Sequence, residues 1–204
     1  VSLSKDGERD KGGEVIGELM DEKGLAFHYV CTWEDANRLV ESHDRFWVEN
    51  CGCREKNERG CARSRMDLCL MFRSDVEASG GSGKKEISRA DVDKILREAK
   101  KKHLVTRPFR NANKMTETDG ICFCCDDCCE YFINPSVPKC DKGAFIEKTD
   151  RDKCTDCGSC ADICYFGARK MRDDKLVLYQ GNCYGCGLCM EVCPDDCIKM
   201  VTRD

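Results

Sequence analysis

Two stretches upstream of residue 140 carry apolar positions at helical spacing. In residues 34–42, Ala36, Leu39 and Val40 share one face of a short predicted helix. A second helix follows Ser88, where Ser88 and Asp91 form an S-x-x-D capping box and Val92, Ile95, Leu96 and Ala99 supply the apolar stripe. Lys100, Lys101 and Lys102 close that helix, where cations suit the dipole better than they suggest a nucleic-acid patch. The tract SGGSG at 79–83 predicts a flexible loop, and Trp33, Phe46 and Trp47 a small aromatic core. Downstream the pattern changes, and residues 144–148, 176–179 and 197–202 read as short strands, the first and last able to pair. The expected fold class is α+β: a mainly helical, Cys-rich module over 1–140, then a smaller α+β domain over 141–204.

Composition adds one dominant fact, 20 cysteines in 204 residues. In a short secreted chain that level signals a disulfide scaffold. Here the clustered C-x2-C spacing and the lack of a signal-peptide apolar core predict metal ligation in a cytoplasmic setting. No apolar run is long enough to span a bilayer. A net charge of -4, with 35% charged residues, predicts no broad basic face for nucleic acid. The glycine loop lacks the G-x-x-x-x-G-K-S/T pattern and no G-x-G-x-x-G follows a strand, which argues against nucleotide chemistry. His28, His43 and His103 are isolated and read as core or surface histidines.

The cysteines carry the chemistry. Cys154, Cys157, Cys160 and Cys164 are spaced C-x2-C-x2-C-x3-C, and Cys183, Cys186, Cys189 and Cys193 repeat that spacing, with Pro194 next. Three thiolates on so tight a loop grip three corners of one cubane, while the fourth reaches the neighbouring cluster. Cys154, Cys157, Cys160 and Cys193 are therefore expected to hold one [4Fe–4S] cluster. Cys183, Cys186, Cys189 and Cys164 are expected to hold the other. A structural zinc would need only two C-x2-C pairs and leaves the third and fourth cysteines of each run unused.

CTDCGSCADICYFGARKM (154–171) aligns without a gap to CYGCGLCMEVCPDDCIKM (183–200). On these residues the segment resembles a bacterial two-cluster ferredoxin. The resemblance implies a βαββαβ sandwich with a cluster at each end. Two departures stand out: Tyr165 where that family usually has Pro after the fourth Cys, and Asp195-Asp196-Cys197 in place of a small apolar turn. Cys197 is expected to be a packed thiol rather than a ligand, since eight corners are already supplied.

Upstream, CGCREKNERGCARSRMDLCLMF contributes Cys51, Cys53, Cys61 and Cys69. ICFCCDDCC contributes Cys122, Cys124, Cys125, Cys128 and Cys129, with Cys140 beyond. A C-x-C-R segment, an ISxxxAxxIL helix and an ICxCC segment before a two-cluster ferredoxin resemble a set of anaerobe ferredoxin-domain proteins, from about Glu34 onward. That resemblance implies an electron carrier or a subunit of an anaerobic redox complex. Soft thiolates in these numbers fit a third cluster on Cys51, Cys53, Cys61 and Cys69 and a fourth on Cys122, Cys124, Cys125 and Cys128. A single shared cluster and structural zinc stay open as alternatives. Arg54, beside the first pair, is either a hydrogen-bond donor to a cluster or a surface residue.

The expected function is low-potential electron transfer, as a polyferredoxin or a relay subunit of an anaerobic oxidoreductase, with a redox protein as partner and no catalytic residue of its own. Acidic residues around the last domain, Asp150, Asp152, Asp156, Asp195 and Asp196, are candidates for steering a basic partner. The alternative is a redox enzyme, sensor or cluster-handling factor with a labile or substrate-accessible cluster, for which Asp126 or Asp127 would be the non-cysteine ligand.

Overall fold

The computed structural model describes residues 24–76, 78, 80–134 and 140–203. Upstream, five strands form one antiparallel sheet: β1 (Phe46–Glu49), β2 (Cys69–Met71), β3 (Lys85–Ile87), β4 (Val105–Asn111) and β5 (Lys114–Cys124), in the order β3-β1-β2-β5-β4. Residues 27–31 run along the outer edge of β4, with Tyr29 N–H donating to Pro108 O and Cys31 N–H to Thr106 O. Both predicted helices form. The first, α1 (Trp33–Glu41), starts at Thr32, whose hydroxyl accepts from Asp35 N–H. A one-turn helix, α2 (Gly52–Lys56), separates β1 from β2. The longest, α3 (Arg89–Lys101), starts at Ser88, whose hydroxyl accepts from Asp91 N–H at 3.2 Å. A short α4 (Glu130–Ile133) ends the module.

The upstream module is therefore built on a sheet, not on helices as the periodicity predicted. The reason lies in burial. All four residues of β1 and all three of β2 are buried, so neither strand shows the polar–apolar alternation that marks a half-exposed strand. Both faces are covered. Phe46, Val48, Leu70, Phe72, Ile121 and Phe123 meet α1 and α3 through Trp33, Ala36, Val40, Val92, Ile95 and Leu96. Trp47, Cys69, Met71, Phe109, Cys122 and Cys124 fill the opposite face. The predicted 79–83 loop is irregular over 80–83, while Ser79 lies outside the described residues.

Downstream, β6 (Phe145–Thr149) pairs antiparallel with β9 (Ile198–Thr202), and β7 (Arg169–Arg172) with β8 (Lys175–Leu178). Short helices α5 (Ser159–Asp162) and α6 (Leu188–Glu191) lie between, giving the order strand, helix, strand, strand, helix, strand. The β7–β8 hairpin turns at Asp173 and Asp174, both left-handed at φ 47 and 58. Aspartate is among the few non-glycine types that accept this tight turn.

Contacts cross from the upstream module into the segment beyond residue 141, which also has a small buried cluster of its own around Cys160, Leu176, Cys197 and Ile198. Asp141 N–H donates to His28 O, and Val30 N–H to Asp141 O. Phe166 and Leu188 belong to the same buried cluster as the α1 and α3 side chains. Lys100, from the run closing α3, pairs with Glu191 at 2.8 Å, and Lys102 pairs with Glu98. These lysines bind within the fold.

Substituting Ser88→Ala should remove the side-chain acceptor of the Asp91 N–H at the start of α3 and cost about 1 kcal/mol, read as a lower denaturation midpoint at unchanged slope.

Candidate metal centres

The two C-terminal cysteine loops have matching local conformations. Gly158 and Gly187, each ahead of the third cysteine, cap α5 and α6 in the left-handed region at φ 85 and 78. Between the first and second cysteines the same backbone state recurs at Asp156 (φ 56) and Gly185 (φ 81). A Cβ on Gly185 would stand 2.1 Å from Phe145 O, so this loop admits only glycine. The first loop has room for Asp156, whose carboxylate accepts from Leu176 N–H at 3.0 Å and pairs with Arg151 and Lys175.

These loops frame two hollows. One is lined by Cys154, Cys157, Cys160 and Cys193, with Cys197, Leu176 and Ile198 in its wall. The other is lined by Cys164, Cys183, Cys186 and Cys189, with Phe166 and Leu188. Each hollow thus draws three cysteines from one run and the fourth from the other. Burial holds the thiols of Cys160, Cys186 and Cys189 above the ordinary value, so a metal must displace their protons on binding. Convergent soft donors around an apolar-walled space suit a sulfide-bridged iron cluster.

Arg169, 2% exposed, stands between the hollows and was not singled out from the sequence. Its Nη1 lies 3.2 Å from Cys160 Sγ of the first hollow, and its side chain lines the second. Its Nη2 donates to the Glu147 carboxylate and to Thr149 Oγ1. Burial opposes its charge, but Cys189, Glu147 and Cys160 outweigh that and hold its pKa above the ordinary value. The internal alignment contained the signal: Arg169 occupies the position of Ile198 in the other half. The same alignment sets Cys197 against Ala168, and both are buried. Cys197 Sγ lies 3.4 Å from Cys193 Sγ at the wall of the first hollow. The two meet across a turn rather than along a helix, since α6 ends at Glu191.

Upstream, the fold sorts the thiols across the two sequence groups. In β5 alternate residues face opposite sides, so Cys122 and Cys124 share one face and Ile121 and Phe123 the other. Cys125 and Cys128 join the face of Phe123, and Cys129 joins the face of Cys124. On the first side, Cys69 Sγ lies 4.0 Å from Cys122 Sγ, with Cys51 beside Cys69 and Cys53 beside Cys129. On the other, Cys61 Sγ lies 3.6 Å from Cys125 Sγ, which lies 3.8 Å from Cys128 Sγ. The expected sets Cys51, Cys53, Cys61, Cys69 and Cys122, Cys124, Cys125, Cys128 are therefore not the sets the fold assembles. Pleating splits neighbours that a linear motif lumps together.

Each side carries a buried arginine. Arg107, 3% exposed, donates to Cys129 Sγ at 3.3 Å and Cys124 Sγ at 3.5 Å and lies over the Tyr131 ring. Burial opposes its charge, while Cys124, Cys129, Cys140 and Cys122 raise its pKa. Arg54, 1% exposed, is not the surface residue that one reading allowed; it donates to Arg65 O and Phe123 O, beside Cys51, Cys61 and Cys125. Nε of Arg54, Arg107 and Arg169 has no hydrogen-bond partner among the described residues. His28 is half-buried, its Nε2 3.9 Å from Cys122 Sγ, and its pKa is depressed by desolvation and by Arg107. Asp126 is paired with Arg63, and Asp127 accepts from Ala62 N–H at 2.9 Å.

Exchanging Cys197 for Ala should leave iron and acid-labile sulfide unchanged; loss of a cluster in that variant would show Cys193 to be the wrong fourth ligand. Arg169→Met strands the buried Glu147 carboxylate and should cost about 3–5 kcal/mol in denaturant titration. The double change with Glu147→Leu should recover most of that loss.

The family described as 4Fe-4S dicluster domain matches residues 153–197. Ferredoxin-3 of Nostoc sp. is 29% identical over 72 residues, covering 26% of this chain and 74% of that protein. Pyruvate synthase subunit PorD of Methanothermobacter marburgensis is 41% identical over 51 residues, covering 25% of this chain and 59% of that protein. The match thus spans less than two thirds of the PorD subunit's length. Residues 153–197 are a 4Fe-4S dicluster domain, borne on a chain whose upstream module carries further clustered cysteines.

Proposed function

We propose that this chain relays electrons through at least two [4Fe–4S] clusters, as the iron–sulfur subunit of a larger oxidoreductase. Cys154, Cys157, Cys160 and Cys193 hold one cluster, and Cys164, Cys183, Cys186 and Cys189 the other. The observation that carries this reading is the sorting of the two runs into two hollows, three cysteines and one in each. When bound, the clusters supply one-electron carriers whose charge is spread over iron and sulfide. The chain's own groups set the terms. Arg169 offsets added negative charge in both hollows, and Leu176, Ile198, Phe166 and Leu188 limit water. A third cluster is proposed on the Arg107 side, drawing on Cys51, Cys53, Cys69, Cys122, Cys124 and Cys129; the buried guanidinium there supplies the counter-charge such an anion requires.

The relay reading is supported by the likeness to a subunit named for pyruvate synthase. Among the described residues no helix is long and apolar enough to cross a membrane. Of the acidic residues offered as a docking face, Asp156 is committed to Arg151 and Lys175, and Asp195 accepts from Thr155 Oγ1. Asp150 pairs with Lys153, which leaves the exposed Asp152 and Asp196 as the groups to steer a basic partner.

Protein prepared without oxygen should contain about 8 iron from the dicluster domain, or about 12 with the third cluster. Cys164→Ala should perturb the spectrum of the cluster on Cys183, Cys186 and Cys189, and Cys193→Ala that of the cluster on Cys154, Cys157 and Cys160. Each variant damaging the cluster of its own run would overturn the assignment.

A further inference from the structure

We propose that Cys61, Cys125 and Cys128 form a separate site for a single tetrahedral zinc ion, with the fourth coordination position filled from outside the protein's thiolates. Among the described residues, this is the one group of three or more candidate ligand side chains whose donor atoms all lie within 4.8 Å of one another. Three thiolates at about 2.3 Å from one tetrahedral ion stand about 3.8 Å apart. The measured separations are 3.6 Å for Cys61–Cys125 and 3.8 Å for Cys125–Cys128. Ligands of a cubane bind different irons and spread further. The five cysteines lining the first C-terminal hollow, Cys197 included, and the four lining the second contain no such tight triple.

Local structure supports a built site. Cys125-Asp126-Asp127-Cys128 has the C-x2-C spacing of a zinc knuckle, and Cys129 N–H donates back to Cys125 O to close the turn. The loop carrying Cys61, between α2 and β2, is fastened to this turn twice, by Ala62 N–H to the Asp127 carboxylate and by the two-pronged Arg63–Asp126 pair. Arg63 engages both oxygens of Asp126 and Ala62 N–H one oxygen of Asp127, and among the described residues no fourth candidate donor atom lies within 4.8 Å of all three thiols. Three thiolates and a divalent ion carry one net negative charge. Arg54, buried beside Cys61 and Cys125 with Nε unpartnered, supplies one positive charge. A three-thiolate zinc with an exchangeable fourth ligand is an open site rather than a closed structural one. Phe123 and its β5 neighbours lie between it and the thiols around Arg107, while Arg54 stands beside Cys51 of that set as well as Cys61 and Cys125.

The test uses the full chain purified without oxygen, with zinc, iron and sulfide measured together. One zinc per chain is expected. Cys128→Ser and the more accessible Cys61→Ser should each lose it while iron and sulfide stay at the parent value. Replacing the zinc with cobalt(II) should give thiolate-to-metal absorption of three rather than four thiolates, perturbed by added imidazole at the open position. Loss of about four irons with sulfide in either variant, a single iron in place of zinc, or unchanged metal content would each overturn the proposal. Parent iron below about 8 would instead overturn the dicluster reading above, which this site does not require.

Discussion

The buried guanidinium set among thiols is the interaction on which the rest of this structure depends. Removing a guanidinium from water costs several kcal/mol unless an anion meets it. Arg54, Arg107 and Arg169 are all taken out of water, and each lies against cysteine sulfur or beside it. The strand ends, turns and helix starts around them place thiols rather than carboxylates near two of the three. Arg169 alone has a carboxylate partner, Glu147, on the side away from Cys160. Each group of thiols thereby receives a fixed positive charge before any metal arrives. This favours an anionic thiolate–metal unit over neutral thiols.

The same packing joins the upstream module to the dicluster domain. Phe132 packs edge-on to Tyr165 and Phe166, Phe166 stacks on Tyr184, and the Arg63 guanidinium lies over the Tyr165 ring. These contacts set the Cys61–Cys125–Cys128 side of the upstream module against the hollow lined by Cys164 and Cys186. Tyr165, the residue standing where Pro is usual, provides the aromatic face at this junction.

Strand pleating controls which cysteines can act together. Cys124, the last residue of β5, and Cys125, just past it, are covalent neighbours, yet they pack into opposite apolar clusters of the sheet. Cys61 and Cys125 are 64 residues apart and nearly in contact. The upstream cysteines therefore form two unlike sets, one gathered around Arg107 and one beside Arg54.

The sequence by itself determined those features that depend on short-range spacing. The paired C-x2-C-x2-C-x3-C runs placed the dicluster domain, because loop geometry over three or four residues leaves few ways to present the thiols. Ser88 with Val92, Ile95, Leu96 and Ala99 located α3, and Ala36 with Val40 located α1, because capping and helical periodicity are local. The five-stranded sheet was not legible. β1 and β2 are buried on both faces and show no alternation, and β5 was read as a cysteine motif rather than as a strand. The grouping of the upstream thiols and the burial of Arg54, Arg107 and Arg169 were decided only by tertiary structure. Both depend on which strand lies beside which, a property of pairing across tens of residues that no local spacing encodes.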